Sequence, residues 1–150
     1  MERIASFQVD HDKLMPGLYL SRRDGEVTTF DLRFKKPNTG DLLTNAEMHS
    51  VEHIIATLLR NGKAKDAVIY FGPMGCRTGF YLLVRNADNE KILEITKKIL
   101  ADIIAYNGEV FGKTKKECGN YLDLDLEKAK EECRRYLKAL EAEQTFEYKS

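Results

Sequence analysis

Residues 44–62 read TNAEMHSVEHIIATLLRNG, and the rest of the fold is read outward from this stretch. Thr44 with Glu47 three residues later makes a capping box, in which hydroxyl and carboxylate each satisfy the other's backbone N–H at a helix start. Asn61-Gly62 predicts a left-handed stop at the far end. Between them Val51, Ile54, Ile55, Leu58 and Leu59 follow the i, i+3, i+4 spacing of a stripe turned to a core. Winding the chain at about 100° per residue puts His53 about 40° and Glu52 about 300° from His49, while the stripe centres at about 190°. The two imidazoles therefore point away from the core that this helix covers. Another part of the chain or a second subunit must cover them.

On the N-terminal side, Thr29 to Phe34 alternate, with Phe30, Leu32 and Phe34 on one face and Thr29, Asp31 and Arg33 on the other. This predicts a half-buried strand, ended by the turn cluster Pro37-Asn38-Thr39-Gly40. On the C-terminal side, Ala67 to Phe71 reads as a buried strand, Gly72 to Gly79 as a loop, and Phe80 to Arg85 as a second strand. Asp88 predicts the cap of another helix, with Ile92, Ile95, Ile99 and Ile103 on its core side and an end at Asn107-Gly108. A loop from Glu109 to Tyr121 leads into a third helix, capped by Asp123 or Asp125 and running to about Glu143. Strands in hairpin spacing mixed with three helices predict an α+β fold, a mainly antiparallel sheet packed against helices. No repeat or linker divides the chain, so one domain over residues 1–150 is expected.

Composition narrows the function. Of 150 residues, 43% are hydrophobic and 32% charged, which fits neither a disordered chain nor a membrane span. The 24 basic and 24 acidic residues balance to a net charge of +0, and that argues against nucleic acid or anionic lipid as partner. No apolar run reaches transmembrane length, and Met1-Glu2-Arg3-Ile4 opens no signal peptide. Three cysteines do not make a disulfide framework. A cytoplasmic protein with reduced thiols is the expectation.

His49-Ser50-Val51-Glu52-His53 is the strongest chemical signal. Four residues apart on a helix, two neutral imidazoles reach one metal ion, and Glu52 beside them can handle protons. The plainer alternative is a solvated polar face, but two of only three histidines falling in this pattern favours the metal. Cys76, in Pro73-Met74-Gly75-Cys76-Arg77-Thr78-Gly79, sits where glycines let backbone approach a ligand and where Arg77 can favour a thiolate. Cys118, in Lys116-Glu117-Cys118-Gly119-Asn120, would complete a His, His, Cys set and leave a fourth coordination position open. As plain alternatives, either cysteine could be an inert loop thiol. Cys133 shares a stripe with Leu126, Ala129, Leu137 and Leu140 and reads as a buried apolar residue.

These residues together resemble the S-ribosylhomocysteine lyase (LuxS) family. The likeness is carried in order by Ser6-Phe7, Asp10-His11, Phe30-Asp31-Leu32-Arg33-Phe34, Pro37-Asn38, the His49–His53 motif, Pro73 to Gly79, and Cys118-Gly119. The stretch from His11 to Phe30 is shorter than the family pattern, Lys35-Lys36 vary from it, and Cys133 has no counterpart role in it. The resemblance implies a lyase that converts S-ribosylhomocysteine to homocysteine and 4,5-dihydroxy-2,3-pentanedione, the autoinducer-2 precursor. It implies one divalent ion per subunit, Fe²⁺ with Zn²⁺ or Co²⁺ as substitutes, held by His49, His53 and Cys118. It implies Cys76 and Glu52 as proton-moving catalytic residues, and Ser6, His11 and Arg33 as substrate-binding residues. It also implies a homodimer whose active sites lie at the interface, with Ser6, His11 and Arg33 across it from the ion. Arg33 suits that role because it lies on the polar strand face; its plain alternative is a solvated charge paired with Asp31.

Two other readings stand beside this one. Zinc peptidases share the inverted H-x-x-E-H motif but take a glutamate as third ligand, for which Glu90, Glu94 and Glu109 are the candidates. A non-catalytic metal-binding module would close the His2Cys set with another protein ligand.

Overall fold

The computed structural model describes residues 1–149. A short helix α1 (Ala5–Gln8) precedes a hairpin of β1 (Gly17–Asp24) and β2 (Val27–Arg33). Next come α2 (Asn45–Arg60), a second hairpin of β3 (Val68–Pro73) and β4 (Gly79–Arg85), and α3 (Asn89–Ala105). A 3-10 turn at Tyr121–Asp123 leads into α4 (Leu126–Ala139). The strands form one antiparallel sheet in the order β1-β2-β4-β3, so the fold is α+β as the sequence predicts. Gly79 lets the two hairpins join. It pairs with Arg33 of β2, and a Cβ there would collide with the Leu32 carbonyl oxygen.

One face of the sheet carries Leu18, Phe30, Leu32, Phe80, Leu82 and Val84, all almost wholly buried. They meet Val51, Ile54, Ile55 and Leu59 of α2, Leu100 and Ile103 of α3, and Cys133 and Tyr136 of α4 in one contiguous core. Each fully buried Leu, Ile or Phe contributes roughly 1.5–3 kcal/mol, so this layer is the main stabilising term. Tyr136 stacks on Phe34 with centroids 4.0 Å apart and donates its hydroxyl to the Gly17 carbonyl at 2.9 Å, fixing α4 over the first hairpin.

The capping box of α2 forms as expected, with both Thr44–Glu47 bonds present. Its other end differs: Asn61 has φ −111°, so no left-handed stop occurs. Instead the Asn61 side chain donates to the Thr57 carbonyl at 2.8 Å, closing the last turn without inversion. Asp88 and Asp125 cap α3 and α4. α4 stops at Ala139, short of Glu143, because the chain turns back to the sheet. There the Gln144 side chain accepts from Leu18 N at 2.9 Å and the Phe146 carbonyl from Leu20 N at 2.8 Å.

β2 is the main departure from expectation. Alternation predicted one solvated face, yet Asp31 and Arg33 are 0% and 3% exposed. The C-terminal tail runs along the β1 edge, bridging at Tyr19–Phe146, and from it Tyr148 covers this face: it stacks on Tyr19 with centroids 5.0 Å apart and donates to Asp31 at 2.7 Å.

The chain leaving β2 buries a second ionic cluster. Lys35, 2% exposed, lies 2.7 Å from Glu132 of α4 and 3.2 Å from Asp41. Burial, together with a hydrogen bond to Glu47, pushes the Glu132 carboxyl above its usual range. The cluster ties the entrance of α2 to α4. Lys35→Ala is expected to cost about 3 kcal/mol in denaturant unfolding, because it strands the buried Glu132 carboxyl, whereas Asp41 is half exposed. Arg135 of α4 also pairs with Asp41 and lies 3.7 Å from Glu132, so a cost below about 1 kcal/mol would mean that Arg135 alone satisfies that carboxyl.

Candidate functional site

His49 and His53 stand one turn apart on the side of α2 turned from the sheet, their rings edge to face with centroids 4.6 Å apart. The cover is the chain's own segment between α3 and α4. Cys118 in that segment brings its Sγ to 3.3 Å from His49 Nε2. Single donor atoms of His49, His53 and Cys118 lie within 4.8 Å of one another, the only such His/Cys/Asp/Glu group among the described residues. Two imidazole nitrogens and a thiol sulfur match the donor chemistry of a tetrahedral divalent ion, and three protein donors leave one position for another ligand. The group can therefore hold a metal.

The neighbouring backbone orients these donors. His53 Nδ1 lies 2.7 Å from the Phe111 carbonyl. A carbonyl only accepts, so Nδ1 carries the hydrogen and Nε2 keeps its lone pair for the group. Gly112 has φ +73°, and a Cβ there would sit 3.1 Å from the His53 ring, so glycine is required on both counts. Lys130, 5% exposed, braces the same loop by donating to the Tyr106 carbonyl at 2.9 Å. The Asn120 N–H points at Cys118 Sγ at 3.4 Å.

A second cluster forms at the end of β2. Asp31 and Arg33 pair through two hydrogen bonds, at 2.7 and 3.1 Å. The guanidinium then reaches Thr78 at 2.8 Å and Cys76 Sγ at 4.0 Å, and Cys76 itself lies 3.0 Å from Thr78 Oγ1. The cation recorded at the sulfur is thus Arg33, not the sequence neighbour Arg77. Burial and the adjacent Asp31 carboxylate push the Tyr148 hydroxyl far up, so it remains a donor to Asp31. Cys76 is exposed, whereas Cys133 is fully buried, with its thiol pushed up to about 12 by burial.

The profile of the family described as S-Ribosylhomocysteinase (LuxS) matches residues 4–147. The chain belongs to this family. A relative named S-ribosylhomocysteine lyase from Finegoldia magna is 49% identical over 145 residues, 93% of this chain and 92% of its own. Relatives of the same name come from Borrelia garinii subsp. bavariensis, 43% identical over 146 residues and 93% of each chain, and from Clostridium beijerinckii. The latter is 46% identical over 136 residues, covering 87% of this chain and 86% of its own.

The remaining expected site residues fall outside the donor group itself. Ser6 is half-buried on α1 and lines a shallow depression with Ser21, Thr29, Tyr70 and Tyr81. This is the face of the sheet that also carries Asp31 and Arg33, since Tyr81 pairs with Asp31. His11 is half-buried in the turn after α1, its Nδ1 2.9 Å from the Val9 carbonyl. Glu52 is half-buried on α2, one residue before His53. The third donor is Cys118 and not a glutamate, which removes the basis of the peptidase reading; Glu109, one candidate, lies 3.7 Å from Lys113. Sequence reasoning missed Phe111, Gly112, Lys130, Thr78 and Tyr148. Two of these had a local signal: Thr78, inside the Pro73–Gly79 motif two residues from Cys76, and Gly112, a glycine within the covering loop.

Proposed function

We propose that this protein cleaves S-ribosylhomocysteine into homocysteine and 4,5-dihydroxy-2,3-pentanedione by carbonyl migration and β-elimination. The observation that carries this reading is a His2Cys donor group paired, in one family member, with a separate exposed cysteine beside a buried arginine. A divalent ion held by His49, His53 and Cys118, Fe²⁺ with Zn²⁺ or Co²⁺ as substitutes, would supply Lewis acidity toward the sugar oxygens. Cys76 takes and returns protons at the sugar carbons, so that the carbonyl passes from C1, where it is an aldehyde, through C2 to C3. Glu52 exchanges protons with the hydroxyl oxygens and finally removes the proton whose loss expels homocysteine. In that last step the C–S bond breaks, its electron pair leaves with sulfur, and neither water nor an outside oxidant is consumed. Arg33, held rigid by Asp31, binds substrate together with Ser6 and His11.

The two clusters act on one substrate only if two copies of the chain meet. Arg33 lies on the sheet face turned from the helices, and the histidines lie on the side of α2 turned from the sheet. The sheet and a helix about 10 Å across separate them within one chain. A homodimer with sites at the interface, each combining one copy's Cys76–Arg33 cluster with the other's donor group, resolves this. The chain is one domain over 1–150 and acts in the cytoplasm, where its three free thiols stay reduced. No helix among the described residues is long and apolar enough to cross a membrane, and the balanced charge does not favour nucleic acid.

The test is homocysteine release, read with a thiol reagent, from S-ribosylhomocysteine and anaerobically metal-loaded protein; no release sinks the proposal. His53→Ala and Cys118→Ala are each expected to lose the ion and at least about 100-fold in rate. A full metal equivalent retained in either variant would remove that residue from the donor set.

A further inference from the structure

Asp123 and Asp125 were rival caps for α4, and the cap is Asp125, whose side chain accepts from Lys128 N. Asp123 faces α2 instead, with Oδ2 3.4 Å from Nδ1 of His49. The same ring turns its other nitrogen, Nε2, toward Cys118 at 3.3 Å. The two ring nitrogens point in divergent directions, so the carboxylate stands behind the imidazole and not among the donors. It is also outside the three-residue donor group. The segment that delivers it is pinned close by: Asp125 N donates at 2.8 Å to Ser50 Oγ, and Ser50 is fully buried next to His49.

We propose that Asp123 is a positioning residue for His49. Its carboxylate stands on the Nδ1 side of the ring, favours the tautomer that carries the hydrogen there and leaves Nε2 bare, and strengthens Nε2 as an electron donor. His53 is held in the same sense, but by the neutral Phe111 carbonyl. The two histidines are therefore unequal donors, His49 backed by a charge and His53 by a dipole. Because backbone supplies the second support, substitutions at Asp123 change one histidine while leaving the other's partner in place. The proposal rests on the reading of His49, His53 and Cys118 as metal ligands.

The test is equilibrium Zn²⁺ binding to full-length apoprotein in competition with a chromophoric chelator, with Co²⁺ visible spectra recorded in parallel. Asp123→Ala is expected to weaken Zn²⁺ binding by about 10–100-fold and to shift the Co²⁺ bands. Asp123→Asn keeps an accepting oxygen without the charge, so it should recover part of that loss, an ordering that simple loss of packing would not give. His53→Ala serves as the control for the ligand reading. If Asp123→Ala binds within about twofold of wild type while His53→Ala does not bind, the positioning role is wrong and the metal reading stands. If His53→Ala binds as tightly as wild type, the metal reading itself fails. Melting of each apoprotein controls for folding. Should Asp123→Ala unfold, Asp123→Asn decides, and unchanged affinity in that variant overturns the proposal.

Discussion

Cys76→Ala is expected to abolish homocysteine release while keeping a full equivalent of metal. The side chain is exposed and outside the donor group, so its removal leaves no cavity and unbinds no ion. A surface truncation of this kind changes stability by about 0.5 kcal/mol or less. The rate is another matter. Losing a positioned acid–base costs about 10²- to 10⁴-fold per step, and the proposed path uses this thiol in successive proton transfers. No other cysteine can substitute: Cys118 belongs to the donor group, and Cys133 is fully buried with a thiol pushed up to about 12. Turnover and metal content should be measured on the same preparation. Turnover within tenfold of wild type would take Cys76 out of the mechanism, and metal loss would make it a ligand.

Mixed dimers of Cys76→Ala and His53→Ala are expected to recover activity that neither parent has. If each site takes its cysteine–arginine cluster from one copy and its metal donors from the other, one site in each heterodimer carries both defects and the other neither. Random exchange makes about half the dimers mixed, so about a quarter of wild-type activity should return. Cys76→Ala is a cleaner partner than Arg33→Ala. Arg33 is 3% exposed and paired with Asp31, and removing it strands a buried carboxylate at a cost of about 3–5 kcal/mol. The same arrangement forbids rescue between Cys76→Ala and Arg33→Ala, because those residues are neighbours in one chain. Co-expression with two affinity tags isolates the heterodimer. Inactive Cys76→Ala/His53→Ala heterodimers would show that both clusters serve one site from a single chain.

What was legible in the sequence was local. The capping box and stripe of α2 reside in nineteen consecutive residues, and the i, i+4 histidines follow from the same periodicity. β1 escaped notice because Arg22, Arg23 and Asp24 look like a loop; they sit at the exposed end of the hairpin, paired across to Thr29, Thr28 and Val27. The second covered face of β2 was out of reach, since its cover, Tyr148, lies 117 positions away. The orientation of His53 was equally invisible: it depends on a backbone carbonyl, which no side-chain pattern encodes. Cys118 stood out through its resemblance to a family motif, and nothing in its spacing alone separated it from a surface thiol.

The contact between His49 and Cys118 joins residues 69 positions apart. An ion bonded to both would turn the intervening chain, with most of α2, the second hairpin and α3, into a closed ring. For a ring of that size, closure withdraws about 4 kcal/mol of entropy from the unfolded ensemble. A chelator would then do more than silence the chemistry. It would open the ring, and the demetallated protein would return to the unfolded state more readily for reasons that have nothing to do with substrate.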